Sequence, residues 1–99
     1  MLLARREFHL DLSYEKLDEF YKEVKSSIVN KKIPENYTVD VYKDLIICCG
    51  IFPMGIAIEI EGPAEQKIRD LDLQMYSKII ENCERKSIEY HESEPLEIF

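Results

Sequence analysis

Tryptophan is absent from this 99-residue chain, and glycine occurs three times and proline four times, too few for a loop-dominated fold. There is no glycine-rich phosphate loop, no Gly-x-Ser-x-Gly and no His-Glu-x-x-His, so the common phosphate cradles, serine nucleophiles and zinc-protease sites are not signalled. The three cysteines are an odd number and include no Cys-x-x-Cys pair, and adjacent Cys48 and Cys49 on a strand would point to opposite faces, so neither a disulfide framework nor a cysteine metal site is signalled. Leu2-Leu3-Ala4 runs straight into Arg5-Arg6-Glu7, with no apolar stretch for a secretory signal. Reduced thiols and a cytoplasmic location are therefore expected. Basic residues are in deficit: thirteen Lys and Arg face twenty Asp and Glu, a net charge of −7. Nucleic acid, which needs a concentrated basic surface, is not an expected partner. Nor is a membrane, because the longest apolar run, from Leu45 to Ile58, falls short of the roughly 20 residues that span a bilayer.

What is present is a single globular domain, 1–99, with 45% hydrophobic and 33% charged residues. Its organising stretch is Leu45–Gly62, rich in isoleucine and interrupted only at Phe52-Pro53-Met54-Gly55. Isoleucine is stiff at χ1 and suits a pleated surface, so this reads as two strands around a tight turn. A two-residue connection places Ile51 opposite Ile56, Cys49 opposite Ile58 and Ile47 opposite Ile60. One face is then apolar, with Glu59 and Glu61 on the other.

Before this hairpin, Phe8, Leu10 and Leu12 alternate with Arg5, Glu7, His9 and Asp11, the pattern of a half-buried strand. Ser13 stands as an N-cap for an amphipathic helix with Tyr14, Leu17, Tyr21, Val24 and Ile28 on its stripe, widened by Phe20. That helix is expected to end near Asn30-Lys31-Lys32, followed by a loop at Ile33–Asn36. Tyr37, Val39 and Val41 suggest a further strand. A three-residue loop at Tyr42-Lys43-Asp44 would put Val39 and Val41 on the apolar face, whereas a two-residue turn would put them with the acids, so the longer loop is preferred. After the hairpin, Pro63 at the first helical position opens a second helix. Its stripe is Ile68, Leu71, Met75, Ile79 and Cys83, broadened by Leu73, Tyr76 and Ile80, and it ends near Arg85-Lys86. Ser87–Glu92 alternates again, and 93–99 reads as an apolar C-terminal tail beyond Pro95.

The order β-α-β-β-β-α-β predicts an α+β two-layer sandwich, a mainly antiparallel sheet with two helices on one face. It resembles the ferredoxin-like βαββαβ plan with one additional strand in the middle, a likeness of architecture that carries no function.

Two groups of residues are candidates for function. Both histidines fall on outward positions of the first and last strands. If Glu7 faces His91 and His9 faces Glu89, the four form a potential site for a divalent metal; the plainer reading is two cross-strand acid–histidine pairs on a solvated face. Asp40, Glu59 and Glu61 around Ile46 and Cys48 read as solvated charges. Cys48 points outward among carboxylates that disfavour its thiolate, and Cys49 packs in the core. No cofactor is otherwise indicated. The second candidate is an interface formed by Ile46, Cys48, Phe52, Leu96, Ile98 and Phe99. From it follows the expected function: a small acidic, non-catalytic binding or assembly module, homo-oligomeric through its sheet face or tail, or chaperone-like toward a partner protein. The alternative is a metal- or small-molecule-binding sensor or hydrolase built on His9 and His91.

Overall fold

The computed structural model describes residues 1–26, 39–42 and 44–99. Its elements are β1 (Leu2–Leu10), α1 (Tyr14–Ser26), β2 (Val39–Tyr42), β3 (Leu45–Phe52), β4 (Gly55–Gly62), α2 (Glu65–Arg85) and β5 (Tyr90–Ile98). The five strands form one antiparallel sheet in the order β2-β3-β4-β1-β5. Together with two helices this is an α+β arrangement compatible with a two-layer sandwich. The four-strand ferredoxin-like order does not describe the sheet as it stands, because β2 adds a fifth strand at one edge.

The central hairpin has the expected register: Ile51 pairs with Ile56, Cys49 with Ile58 and Ile47 with Ile60. Its turn places Met54 at φ 59°, a left-handed conformation uncommon for a side chain of this size. Alternation sends Ile47, Cys49, Ile56, Ile58 and Ile60 into the core, where Phe8 and Leu10 of β1 join them. Leu17, Phe20, Tyr21 and Val24 of α1 and Ile68, Leu71, Met75, Ile79 and Cys83 of α2 close the same cluster. Each fully buried aliphatic or aromatic side chain here contributes about 1.5–3 kcal/mol. The helices contact each other, with α1 against β3 and α2 against β4.

Several expectations are corrected. Tyr42 pairs with Leu45, so β2 and β3 are joined by the two-residue connection, not the three-residue loop. Asp44 supplies the left-handed residue at φ 69°, a conformation that aspartate tolerates better than most side chains. Val39 and Val41 consequently stand opposite Cys48 and Ile46: turn chemistry prevailed over the sorting of apolar residues. Pro63 lies outside α2, whose N-cap is Ala64. Tyr14 and Leu73 are not on the buried stripes, being 60% and 63% exposed. The segment 93–99 is not a free tail. β5 runs through Pro95 and pairs along β1 as far as Ala4 and Ile98, and Leu96 and Ile98 pack against the core. Proline is tolerated because β5 is an edge strand whose ladder shifts register near this point. The expectations for Ile28, the helix end at Asn30–Lys32, the loop 33–36, Tyr37 and Lys43 lie outside the described residues.

Candidate functional site

The helices cover one face of the sheet, and the functional residues singled out from the sequence fall mostly on the other. Four rows cross that face. At one end the row is Phe52, Gly55, His9 and His91. Gly55 matters here, because a Cβ built on it would come 2.3 Å from the Phe52 ring. The absence of a side chain lets the Phe52 ring lie over Gly55. The imidazoles of His9 and His91 stack with centroids 4.7 Å apart and planes at 20°. Beside them is an open depression of about 550 Å³, to which Asp11, Met54, Glu89 and Tyr90 contribute.

The next row carries Ala57, Glu7 and Glu94, and the third Cys48, Glu59, Arg5 and Glu97. Arg5 holds these rows together. Its Nη2 donates to Glu7 Oε1 at 2.7 Å and its Nε to Glu59 Oε1 at 3.3 Å. The hydrogen bond to Glu7, opposed by desolvation and aided by both carboxylate charges, raises the guanidinium above its ordinary pKa. In the last row Ile46 stands opposite Glu61, and Leu3 exchanges backbone hydrogen bonds with Phe99.

The proposed histidine–carboxylate register is therefore corrected. His9 faces His91, Glu7 faces Glu94 and is bonded to Arg5, and Glu89 lies beyond the end of the β5 pairing. Imidazole lone pairs lie in the ring plane, so near-parallel stacked rings aim them side by side and not at one point. Among the described residues no group of three or more His, Cys, Asp or Glu side chains is gathered as metal ligands would be. Of the interface candidates, Ile46 and Cys48 are half-buried on this face and Phe52 is exposed at its end. Phe99 is exposed, while Leu96 and Ile98 turn toward the core. No described helix is long and apolar enough to cross a membrane.

One constellation escaped sequence reasoning. On the helix side of β1, Arg6 donates to both carboxylate oxygens of Asp72, Nε to Oδ1 at 3.1 Å and Nη2 to Oδ2 at 2.8 Å. Its Nη1 reaches Glu92 Oε1 at 2.8 Å, and its Cζ lies 4.5 Å from the centre of the Tyr76 ring. Burial works against the guanidinium charge, but the hydrogen bonds and charges of Asp72 and Glu92 outweigh it and leave the pKa raised. The fork geometry ties β1, α2 and β5 together. A signal was there to be read: Arg6 and Glu92 each occupy a core-side position of their strands, and Asp72 follows a core leucine. Asp72 is the most buried member of this cluster and Glu92 the least, and its bonds join three elements of the fold. Comparison of the chain with known protein families, curated proteins and solved structures finds no match.

Proposed function

We propose that the chain is a non-catalytic binding module that works through the exposed face of its sheet, with the ferredoxin-like plan extended by β2 at the edge. The order β3-β4-β1-β5 that remains when β2 is set aside supports that topological reading. The observation that carries the functional reading is the composition of the sheet face that, among the described residues, no helix covers. Phe52, Ile46 and Cys48 expose apolar surface beside a charged strip that Arg5 holds in place, the mixture of apolar and polar area that protein interfaces present. The β5 edge is a poorer docking place. Pro95, a register shift and the glutamates at 92, 94 and 97 are the features that discourage strand addition.

A chaperone-like hold on a partner segment is one form of this module, and a homo-oligomer is another. Self-association through the face would bring its carboxylates against their own copies, so a different chain fits it better. The test uses Phe52→Ser and Ile46→Thr. Residues kept for a partner accept polar replacement, so unfolding free energies should stay within about 1 kcal/mol of the parent. Light scattering at micromolar concentration on parent and variants reports whether a second copy uses the face. Losses above about 2 kcal/mol at both positions would assign these side chains to the fold and end the proposal.

A further inference from the structure

The net charge of the chain is not spread evenly. In the helical layer, cations pair with neighbouring acids: Lys22 with Asp18, Arg69 with Glu65, Lys78 with Glu81, and both Arg85 and Lys86 with Glu23. The uncovered sheet face has no such balance. Among the described residues, Glu7, Glu59, Glu61, Glu94 and Glu97 lie on it, with Asp11 and Glu89 at its end, against Arg5 alone; together these carry a net charge of −6, beside −7 for the whole chain. We infer that the face receives an extended, arginine-bearing segment of a partner protein, an inference that rests on the proposed use of this face for docking.

Charge complementarity and spacing both favour that occupant. The carboxylates do not converge on one point, as a bound cation would need; they recur in successive rows, at Glu61, then Glu59 and Glu97, then Glu7 and Glu94. Rows two residues apart are separated by roughly 6.8 Å, which is also the repeat of same-side residues in an extended chain. A segment with a cation at every second residue, laid along the strands, meets one row per cation. The row of Phe52 and the stacked His9 and His91 then offers flat rings at the end of the track. Arginine stacks on such rings and forks onto carboxylates, whereas a lysine ammonium is a compact point charge. The same field repels nucleic acid and anionic lipid.

The experiment measures binding of a fluorescent peptide of about ten residues, with arginine alternating with serine, to the full chain at about 50 mM salt, where exposed charges are weakly screened. Parent protein is compared with a face triple, Glu59→Gln, Glu61→Gln and Glu97→Gln, and with a helix triple, Glu15→Gln, Glu65→Gln and Glu81→Gln. Both triples change net charge equally. The face triple should weaken binding at least about tenfold and the helix triple less than about twofold. A lysine–serine peptide should bind less tightly than the arginine one. Equal weakening by the two triples, or no binding by the parent, overturns the inference. So does a dimer that the face triple dissolves, or calcium chloride moving the same amide resonances at micromolar concentration. Amide shifts separate the two levels of the argument. An uncharged serine–tyrosine peptide that alone shifts the sheet-face amides removes the basic partner but keeps the docking face. Shifts confined to the helices for every peptide remove both.

Discussion

Replacing Arg6 by methionine isolates the buried charge cluster, because methionine keeps most of the aliphatic stem and removes the guanidinium. Three charge-assisted hydrogen bonds and the contact with Tyr76 are lost, but their separate values do not add. The cost depends on what is left behind. The Glu92 side chain is 26% exposed and regains water, whereas that of Asp72 is 7% exposed and does not. A buried charge stripped of its partner costs about 3–5 kcal/mol, and partial recovery by water at Glu92 places the expected loss near 3. Against a total stability of about 5–15 kcal/mol for a typical domain, this is a large fraction. Replacing both partners, Arg6→Met with Asp72→Leu, removes the orphaned charge as well. That pair should recover at least about half of the loss, since well-packed apolar replacements of buried ion pairs are often neutral. Urea unfolding followed by circular dichroism gives both values, with the slope checked for constancy. An Arg6→Met variant within about 1 kcal/mol of the parent would refute the reasoning, as would a double variant no more stable than the single one.

Facing along β4 is tested by Ile58→Ala, expected to cost about 2–5 kcal/mol, against Glu59→Ala, expected to cost less than about 1 kcal/mol because its side chain is partly solvated and its bridge to Arg5 is long; equal losses would mean the strand is turned over. Cys48 is half-buried on the open face, while Cys49 and Cys83 are buried, and burial pushes the Cys83 thiol up to about 11. A thiol reagent at neutral pH should therefore modify Cys48 in the native protein and Cys83 only after unfolding, with peptide mapping identifying the site. Lys86 and Arg85 hold the Glu23 carboxyl below its ordinary value, so their link between α1 and α2 favours the folded state at neutral pH and is lost as pH falls through the lowered value. Glu23→Gln should then lower the melting temperature slightly at pH 7, and the difference from the parent should vanish in strong acid.

Period-two alternation made the hairpin legible, since burying one face of Ile47, Cys49, Ile56, Ile58 and Ile60 admits a single register. The stripe of α2 was legible for the same reason at period 3.6, although Leu73 shows that an apolar residue need not lie on it. The β2–β3 connection was misread because the pattern favoured gathering valines with isoleucines, while the chain followed the turn that Asp44 allows. β5 was cut short at Pro95 because proline reads as a stop in a strand, and only its edge position removes that objection. The exposed face was legible as a face but not in its rows. The pairing of His9 with His91, two residues away from the expected register, depends on where β5 begins. That start follows the end of α2, where Ser87 takes a left-handed conformation at φ 55°. Arg6 was overlooked because alternation was read from the hydrophobic residues alone.

The bonds of Arg6 also bear on the order in which the molecule comes together. Its partners Asp72 and Glu92 lie 66 and 86 positions further along the chain, and both strands that flank β1, β4 and β5, come from the later half of the sequence. A strand whose neighbours arrive late is completed late, because closing such long loops carries an entropic cost before any contact rewards it. Until β5 docks, the Arg6 guanidinium lacks Glu92 and sits at an open border, where water still reaches it. Burial of the first strand is thus linked to arrival of the last.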